Sequence, residues 1–383
     1  MKIVYIYEAI AHVGGIERIF ADKMNYLANK GYDVYLITAI QGQHPFSFPL
    51  SPAITHIDLD ARYHLQYQYR HLKKLWVKLK IDYLFQKRIK EQIKLIDPDI
   101  ICCTTYYKAN VVCKLRCRAK KIIESHNAKS FTRINDGALR GAISKIYNAL
   151  NVALMMRTIE KKCDILVTLT QGDAKEWKCG KKIRVIPNLF SQMPTSKSNY
   201  ESQRVIGVGR LEYQKGFDYL IDAWKIVNQR YPNWNLDIYG RGALYNTLIQ
   251  QISKNSLAHV IRINNPTPNI YNEYANSSIF VLSSRFEGFG LVLIEAMSCG
   301  LACISFDCPY GPSDIISHKR NGLLVSNGDI QGLANSICEL IKDKTLRKEY
   351  GESALKDIEC FSPEKIMAQW ECLFHELITK EKI

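Results

Sequence analysis

Glu287 and Glu295 stand eight positions apart on either side of a glycine turn, Gly288-Phe289-Gly290, in the stretch SSRFEGFGLVLIEAMSCG from Ser283 to Gly300. Ahead of it, Ile279 to Leu282 is a short apolar run of the kind that forms a parallel strand covered on both faces. Behind it, Leu291 to Met297 is a run of good helix formers. The glycines permit a tight turn and a close backbone approach, so free N–H groups at the helix N-terminus would converge into an anion site. Glu295 lies five residues beyond Gly290, about a turn and a half into that helix. Its carboxylate would stand beside a bound phosphate and accept hydroxyl protons from a ribose.

A second segment brings cations to a neighbouring strand end. Val205 to Gly209 reads as a strand, and Arg210-Leu-Glu-Tyr-Gln-Lys215-Gly216 follows it. Arg210 and Lys215 suit the two phosphates of a nucleoside diphosphate, and the helix N-terminus adds partial positive charge without a metal ion. The familiar nucleotide fingerprints are absent. Gly207-Val-Gly209, Gly240-Arg-Gly242 and Gly288-Phe-Gly290 each lack the third glycine, with Glu212, Tyr245 and Leu293 in its place, and Gly180-Lys181 runs into Lys182 where a P-loop needs Ser or Thr.

A chain of 383 residues with 47% hydrophobic and 23% charged residues is expected to be a soluble globular protein of two domains. No apolar run reaches the roughly 18 residues that span a bilayer, and Glu8 interrupts the apolar opening, which reads as a first strand and not as a signal peptide. A cytoplasmic location follows as an expectation. The twelve cysteines form no C-x-x-C pair and lie among apolar runs, the pattern of reduced core thiols. Cys113 and Cys117 are a helical turn apart with nothing to complete a zinc site. No metal and no separate cofactor is expected.

The net charge of +15 is concentrated in the first half, where residues 1–200 hold 33 Lys and Arg against 16 Asp and Glu. The densest part runs from Tyr69 to Lys94, where Lys73, Lys74, Lys78 and Lys80 accompany Leu72, Leu75, Trp76, Leu79, Tyr83 and Leu84. The three- and four-residue spacing predicts one or two amphipathic helices with a basic face. Such a face would lie on an anionic membrane surface, or would be the solvated side of a helix packed on a sheet. No nucleic-acid motif accompanies the charge, so no nucleic-acid partner is expected.

Strand and helix patterns alternate throughout, which predicts parallel sheets in an α/β fold. Lys2 to Tyr7, Val34 to Thr38, Ile54 to Ile57, Asp99 to Cys103, Lys121 to Glu124, Ile165 to Leu169 and Arg184 to Ile186 read as strands of a first domain, residues 1–190. The polar stretch Ser191 to Ser202 reads as a linker. A second series over 202–362 has strands at 205–209, 236–239, 260–263, 279–282 and 302–306, and residues 363–383 form a helix that packs back on the first domain. Two such domains would face each other across a cleft.

Taken together, the E-x7-E pair Glu287 and Glu295, the GRLEYQKG segment, Gly14-Gly15-Ile-Glu17-Arg18, Glu124-Ser-His126-Asn127, Ile186-Pro-Asn188, FDCPYGPSDII from Phe306 and NGLLV from Asn321 resemble the retaining nucleotide-sugar glycosyltransferases of family 4. The resemblance covers nearly the whole chain and implies the GT-B fold of two Rossmann-like βα domains. It implies that Glu295 holds the ribose, Glu287 contacts donor-sugar hydroxyls, Arg210 and Lys215 grip the diphosphate, Gly15 approaches it from the other domain, and His126 faces the donor sugar. Gly288, Phe289, Gly290 and Leu291 complete the donor site. Tyr310-Gly-Pro-Ser313 departs from the family's glycine-rich, proline–glutamate loop.

The implied activity is transfer of a hexose or N-acetylhexosamine from a nucleotide sugar, UDP-linked in this reading, to a saccharide acceptor carried on a lipid diphosphate, in surface polysaccharide assembly at the inner membrane face. Asp58-Leu-Asp60 and Asp97-Pro-Asp99 copy the metal-binding D-x-D of another glycosyltransferase fold only superficially, since one ends a strand and the other is a turn entering one. Two alternatives of other classes stand beside the transferase: a nucleotide-sugar epimerase of the same fold, and a non-catalytic basic module that binds membrane or polyanion.

Overall fold

The computed structural model describes residues 1–11, 14–69, 71–105, 108–132, 142–192 and 194–379. Two compact units divide the chain: Met1–Leu169, Asp173–Leu189 and Pro363–Ile383 form the first, and Thr170–Gly172 with Phe190–Ser362 the second.

The first unit is built on seven strands, β1 (Lys2–Tyr7), β2 (Asp33–Thr38), β3 (Thr55–Asp58), β4 (Ile100–Thr104), β5 (Lys120–Ser125), β6 (Ile165–Thr168) and β7 (Ile183–Val185). They lie in the order β3-β2-β1-β4-β5-β6-β7 with every neighbouring pair parallel. Alternate side chains of a strand point to opposite faces. Ile3, Tyr5, Ile100, Cys102 and Ile122 therefore meet Phe20, Met24, Trp370 and Phe374 on one side. Val4, Ile6, Ile101, Cys103 and Ile123 meet Phe85, Ile89, Met156 and Ile159 on the other. The C-terminal helix Pro363–Thr379 joins the first core by burying Ile366, Met367, Trp370, Leu373 and Phe374, a stripe at three- and four-residue spacing.

In the second unit β8 (Arg204–Val208), β9 (Asn235–Tyr239), β10 (Ile261–Asn264), β11 (Ile279–Leu282), β12 (Ala302–Asp307) and β13 (Gly322–Ser326) form a parallel sheet in the order β10-β9-β8-β11-β12-β13. The helix Phe217–Arg230 buries Phe217, Leu220, Ile221, Trp224 and Val227 against it, the periodic positions read from the sequence. Two parallel-sheet Rossmann-like units are thus the architecture, as expected.

Two elements differ from expectation. The stretch Ser191 to Ser202 does not hang free as a linker. Ser198 and Tyr200 are buried in the second unit, where Ser198 Oγ donates to the Ser277 carbonyl at 2.6 Å and Arg347 Nη2 donates to the Tyr200 carbonyl at 3.0 Å. The basic region is one helix of 26 residues, His71–Ile96. Its buried stripe is Ile81, Phe85, Ile89, Ile93 and Ile96, whereas Trp76, Leu79 and Tyr83, expected among the packing positions, are 65%, 59% and 68% exposed. No helix among the described residues is long and apolar enough to cross a membrane.

Candidate functional site

From β8 the chain of the second unit winds outward through β9 and β10, and from β11 it winds the other way through β12 and β13. The adjacent β8 and β11 are therefore the switch point of this sheet, the place where open α/β sheets take ligands. Both motif segments begin at these two strand ends.

Hydrogen bonds to backbone carbonyls join them. Arg285 N donates to the Gln214 carbonyl at 2.8 Å, Gln214 Nε2 to the Phe286 carbonyl at 3.1 Å, Ser283 Oγ to the Lys215 carbonyl at 3.0 Å, and Arg285 Nη1 to the Tyr213 carbonyl at 2.8 Å. Gly216 makes the approach possible. It adopts φ +60°, and a Cβ there would lie 2.1 Å from the Ser283 carbonyl oxygen. Gly216→Ala is expected to push the two loops apart and to destabilise the second unit by about 1–3 kcal/mol. Thermal unfolding of the variant checks this; an unchanged midpoint contradicts the role given to the loop junction.

Between the joined loops lie a cation and a carboxylate. Lys215 Nζ is 2.7 Å from Glu287 Oε1, with the two side chains only 12% and 7% exposed, and Ser284 Oγ donates to the same oxygen at 2.6 Å. Gly209 gives the lysine its path, because a Cβ at that position would press to 3.1 Å on the Lys215 stem. The pair is preformed: Glu287 holds the ammonium in place, and the ammonium keeps further N–H donors for an incoming anion.

Arg285 and Asp218 stabilise this arrangement, and neither was singled out from the sequence. The guanidinium makes a two-pronged contact to the Asp218 carboxylate, at 2.8 and 2.5 Å, and lies 4.1 and 4.0 Å from the Tyr213 and Tyr219 ring centres. Such a bidentate, stacked arginine fixes geometry in a way that a point charge does not. The 67 residues that separate the partners leave no local signal for the pairing.

Other predicted site residues take different surroundings. Arg210 is exposed, with its guanidinium against Glu212 at 3.1 Å and Gln214 at 3.1 Å. Gly290, at φ +99°, caps the helix Leu291–Ser298, and no side chain caps that N-terminus. Gly288 and Leu291 are partly exposed beside it. The Phe289 side chain is a core group, 3% exposed and edge-to-face on Phe361 at 5.6 Å, so its place in the expected donor site is that of its backbone amide. The Tyr310-Gly311 turn sits on that backbone, since Gly311 at φ +98° would place a Cβ 2.0 Å from the Phe289 carbonyl oxygen. Glu295 accepts from the Tyr274 hydroxyl at 3.4 Å; burial first, and then the Glu295 charge, pushes that phenol well above its usual range.

The first unit carries Gly15 and His126. Gly15 is exposed at the start of the helix Gly15–Asn29, which follows β1 at that unit's own switch point between β1 and β4. His126 follows β5 and is buried at 7% exposure, with Nε2 3.0 Å from Glu124 Oε2. Both Glu124 oxygens lie 2.7 Å from the buried Lys23 ammonium. Burial pushes the Glu124 carboxyl up, but Lys23 and the His126 ring outweigh it and hold the group below the usual carboxylate range. The D-x-D look-alikes are occupied locally. Asp58 accepts from Thr38 Oγ1 and the Gln41, Gly42 and Asp60 amides, and Asp99 accepts from the Lys2 amide at 2.8 Å. Among the described residues no three His, Cys, Asp or Glu side chains cluster as metal ligands.

Residues 13–190 match the family model described as Glycosyltransferase Family 4, and residues 191–357 match the model described as Glycosyl transferases group 1. An uncharacterised glycosyltransferase of Haemophilus influenzae is 28% identical over 377 residues, 97% of this chain and 99% of that protein. The amylovoran biosynthesis glycosyltransferase AmsD of Erwinia amylovora is 35% identical over 183 residues, 48% of this chain and half of that protein's length. Among solved structures, HepE of Anabaena in complex with UDP and glucose superposes with a TM-score of 0.73 at 18% identity, covering 98% of this chain and all of that one.

Proposed function

Because the chain belongs to the glycosyltransferases that join a family 4 domain to a group 1 domain, we propose that it moves a hexose or N-acetylhexosamine from a UDP-linked donor to a hydroxyl of a lipid-linked saccharide. The proposed setting is surface polysaccharide assembly, and the anomeric configuration is retained without help from a metal ion. The single observation that carries the reading is the preformed Lys215–Glu287 pair with Ser284, set at the switch point between β8 and β11 beside a helix N-terminus that no side chain caps. HepE, whose structure holds UDP and glucose, and AmsD, named for amylovoran synthesis, support the donor and the setting by likeness.

The chemistry follows from where charge develops. As the bond from the sugar C1 to the diphosphate oxygen breaks, the leaving group gains negative charge and the sugar becomes oxocarbenium-like. Lys215, Arg210 and the amides at 288–291 face the anion; Glu287 accepts from sugar hydroxyls and Glu295 from the ribose. The acceptor hydroxyl forms the new bond to C1 on the face the diphosphate leaves, and its proton passes to a phosphate oxygen, so no carboxylate nucleophile is needed. Slow hydrolysis of a panel of UDP-, GDP- and ADP-sugars, run with and without EDTA, tests the reading. UDP release that EDTA leaves unchanged, with the α-anomer of the free sugar formed first from an α-donor, is expected; turnover confined to another nucleotide, or lost with EDTA, contradicts it.

The helix His71–Ile96 is proposed to rest on anionic lipid at the inner membrane face. Trp76, Leu79 and Tyr83 recur at helical spacing on its exposed side, Lys80 lies 5.7 Å from the Trp76 ring, and Lys73 and Lys78 are exposed beside them. Replacing Lys73, Lys74 and Lys78 by Glu is expected to lower partition onto phosphatidylserine vesicles by about 100-fold, at about 1 kcal/mol for each lost basic group. Unchanged flotation of that variant with such vesicles contradicts the assignment.

A further inference from the structure

We propose that Glu124, with Lys23 as its counter-ion, is a positioning residue for His126: it holds the imidazole by Nε2–H and so fixes Nδ1 as the ring atom offered to substrate. The inference rests on the reading of His126 as a substrate-facing group. An ionised carboxylate only accepts hydrogen bonds, so the 3.0 Å contact of Glu124 Oε2 requires the hydrogen to sit on Nε2 in either charge state of the ring. The Phe20 ring meets the imidazole edge-to-face at 5.7 Å and limits its rotation.

The counter-ion is built in at an electrostatic cost. Lys23 lies on the apolar stripe of its own helix, with Ile19, Phe20, Met24 and Leu27, and is 2% exposed. Its ammonium sits 3.5 Å from the Trp370 ring centre, 5.6 Å from that of Tyr5 and 5.7 Å from that of Phe20. A buried Lys–Glu pair adds little or nothing to stability beyond what two apolar side chains of similar volume give. A leucine or methionine at position 23 would pack with no charge to compensate, so the pair is explained by what its carboxylate does for a third group. That group is His126, two residues along the chain.

The test uses the full chain with 15N-labelled histidine, His126 being assigned by difference with His126→Gln, and the UDP-sugar that the wild type turns over. Long-range proton–nitrogen spectra of the wild type are expected to show His126 protonated at Nε2. Because Glu124→Leu alone strands a buried ammonium, the pair is replaced together as Lys23→Met/Glu124→Leu. That variant is expected to fold and bind UDP like the wild type, and to lose about 10²-fold in kcat with KM little changed. Adding His126→Gln is then expected to cost no more than about twofold further, since a ring already released has little left to lose. A wild-type ring protonated at Nδ1 alone, a paired variant with kcat within about threefold of wild type, or full additivity with His126→Gln overturns the proposal. If the wild type turns over no UDP-sugar, the functional reading fails, and the His126 tautomer still decides the positioning role.

Discussion

Lys215→Ala is expected to lower turnover of the donor by about 10²–10³-fold, the loss of roughly 2.7–4 kcal/mol that accompanies removal of one preorganised donor to a developing anion. The size follows from the site. Lys215 is held at 2.7 Å by Glu287, with little solvent around either side chain, so its charge is aimed before the substrate arrives and needs no rearrangement during reaction. Removing it has a second effect, because Glu287 keeps only the Ser284 hydroxyl among these partners and its uncompensated charge faces the incoming diphosphate. UDP affinity should therefore fall along with kcat. Lys215→Arg, which keeps the charge in a different shape, should recover part of the loss. Steady-state hydrolysis and UDP titration measure both; an alanine variant within a few-fold of wild type contradicts the assignment.

The second large effect concerns stability. Glu124→Leu made alone leaves the Lys23 ammonium buried among Trp370, Tyr5 and Phe20 without its partner, and breaking one side of a buried pair costs about 3–5 kcal/mol. The first unit is expected to unfold at a clearly lower temperature, with the second unit's transition little moved, and Lys23→Met added to Glu124→Leu should restore most of the loss. The pH dependence has a definite sign. Glu124 is held below its unfolded range, so its contribution is fully present above about pH 4.3, the ordinary value of a glutamate, and is lost as the pH falls from there through the folded value. Acid unfolding of wild type and of the paired variant, followed by circular dichroism, should differ only in that acidic window. Equal sensitivity of the two within that window contradicts the account.

The fold was readable because its strands are apolar runs bounded by glycine, proline and polar residues, and parallel strands buried on both faces need little else. Lys215 and Glu287 were also readable as charged groups at strand ends. Their pairing was not, since 72 residues separate them and only the adjacency of β8 and β11 brings them together. The same holds for Arg285 and Asp218. Lys23 did leave a trace, a lone cation where the helical period calls for an apolar residue, and Glu124 another at the end of the run Ile122-Ile123. The helix His71–Ile96 misled because it carries two apolar stripes, and periodicity alone does not tell which of them meets the sheet. The stretch from Ser191 to Ser202 lacked periodicity and so read as a linker, although Ser198 and Tyr200 are tied down by backbone and side-chain hydrogen bonds that no pattern announces.

A crystal of the full chain soaked in UDP tests most directly the claim that the second unit receives a nucleotide sugar's leaving group at its switch point. The diphosphate is expected within hydrogen-bonding distance of Lys215 Nζ and the amides at 288–291, with the ribose hydroxyls on Glu295. A diphosphate bound away from Lys215, or a ribose with no contact to Glu295, would contradict the account.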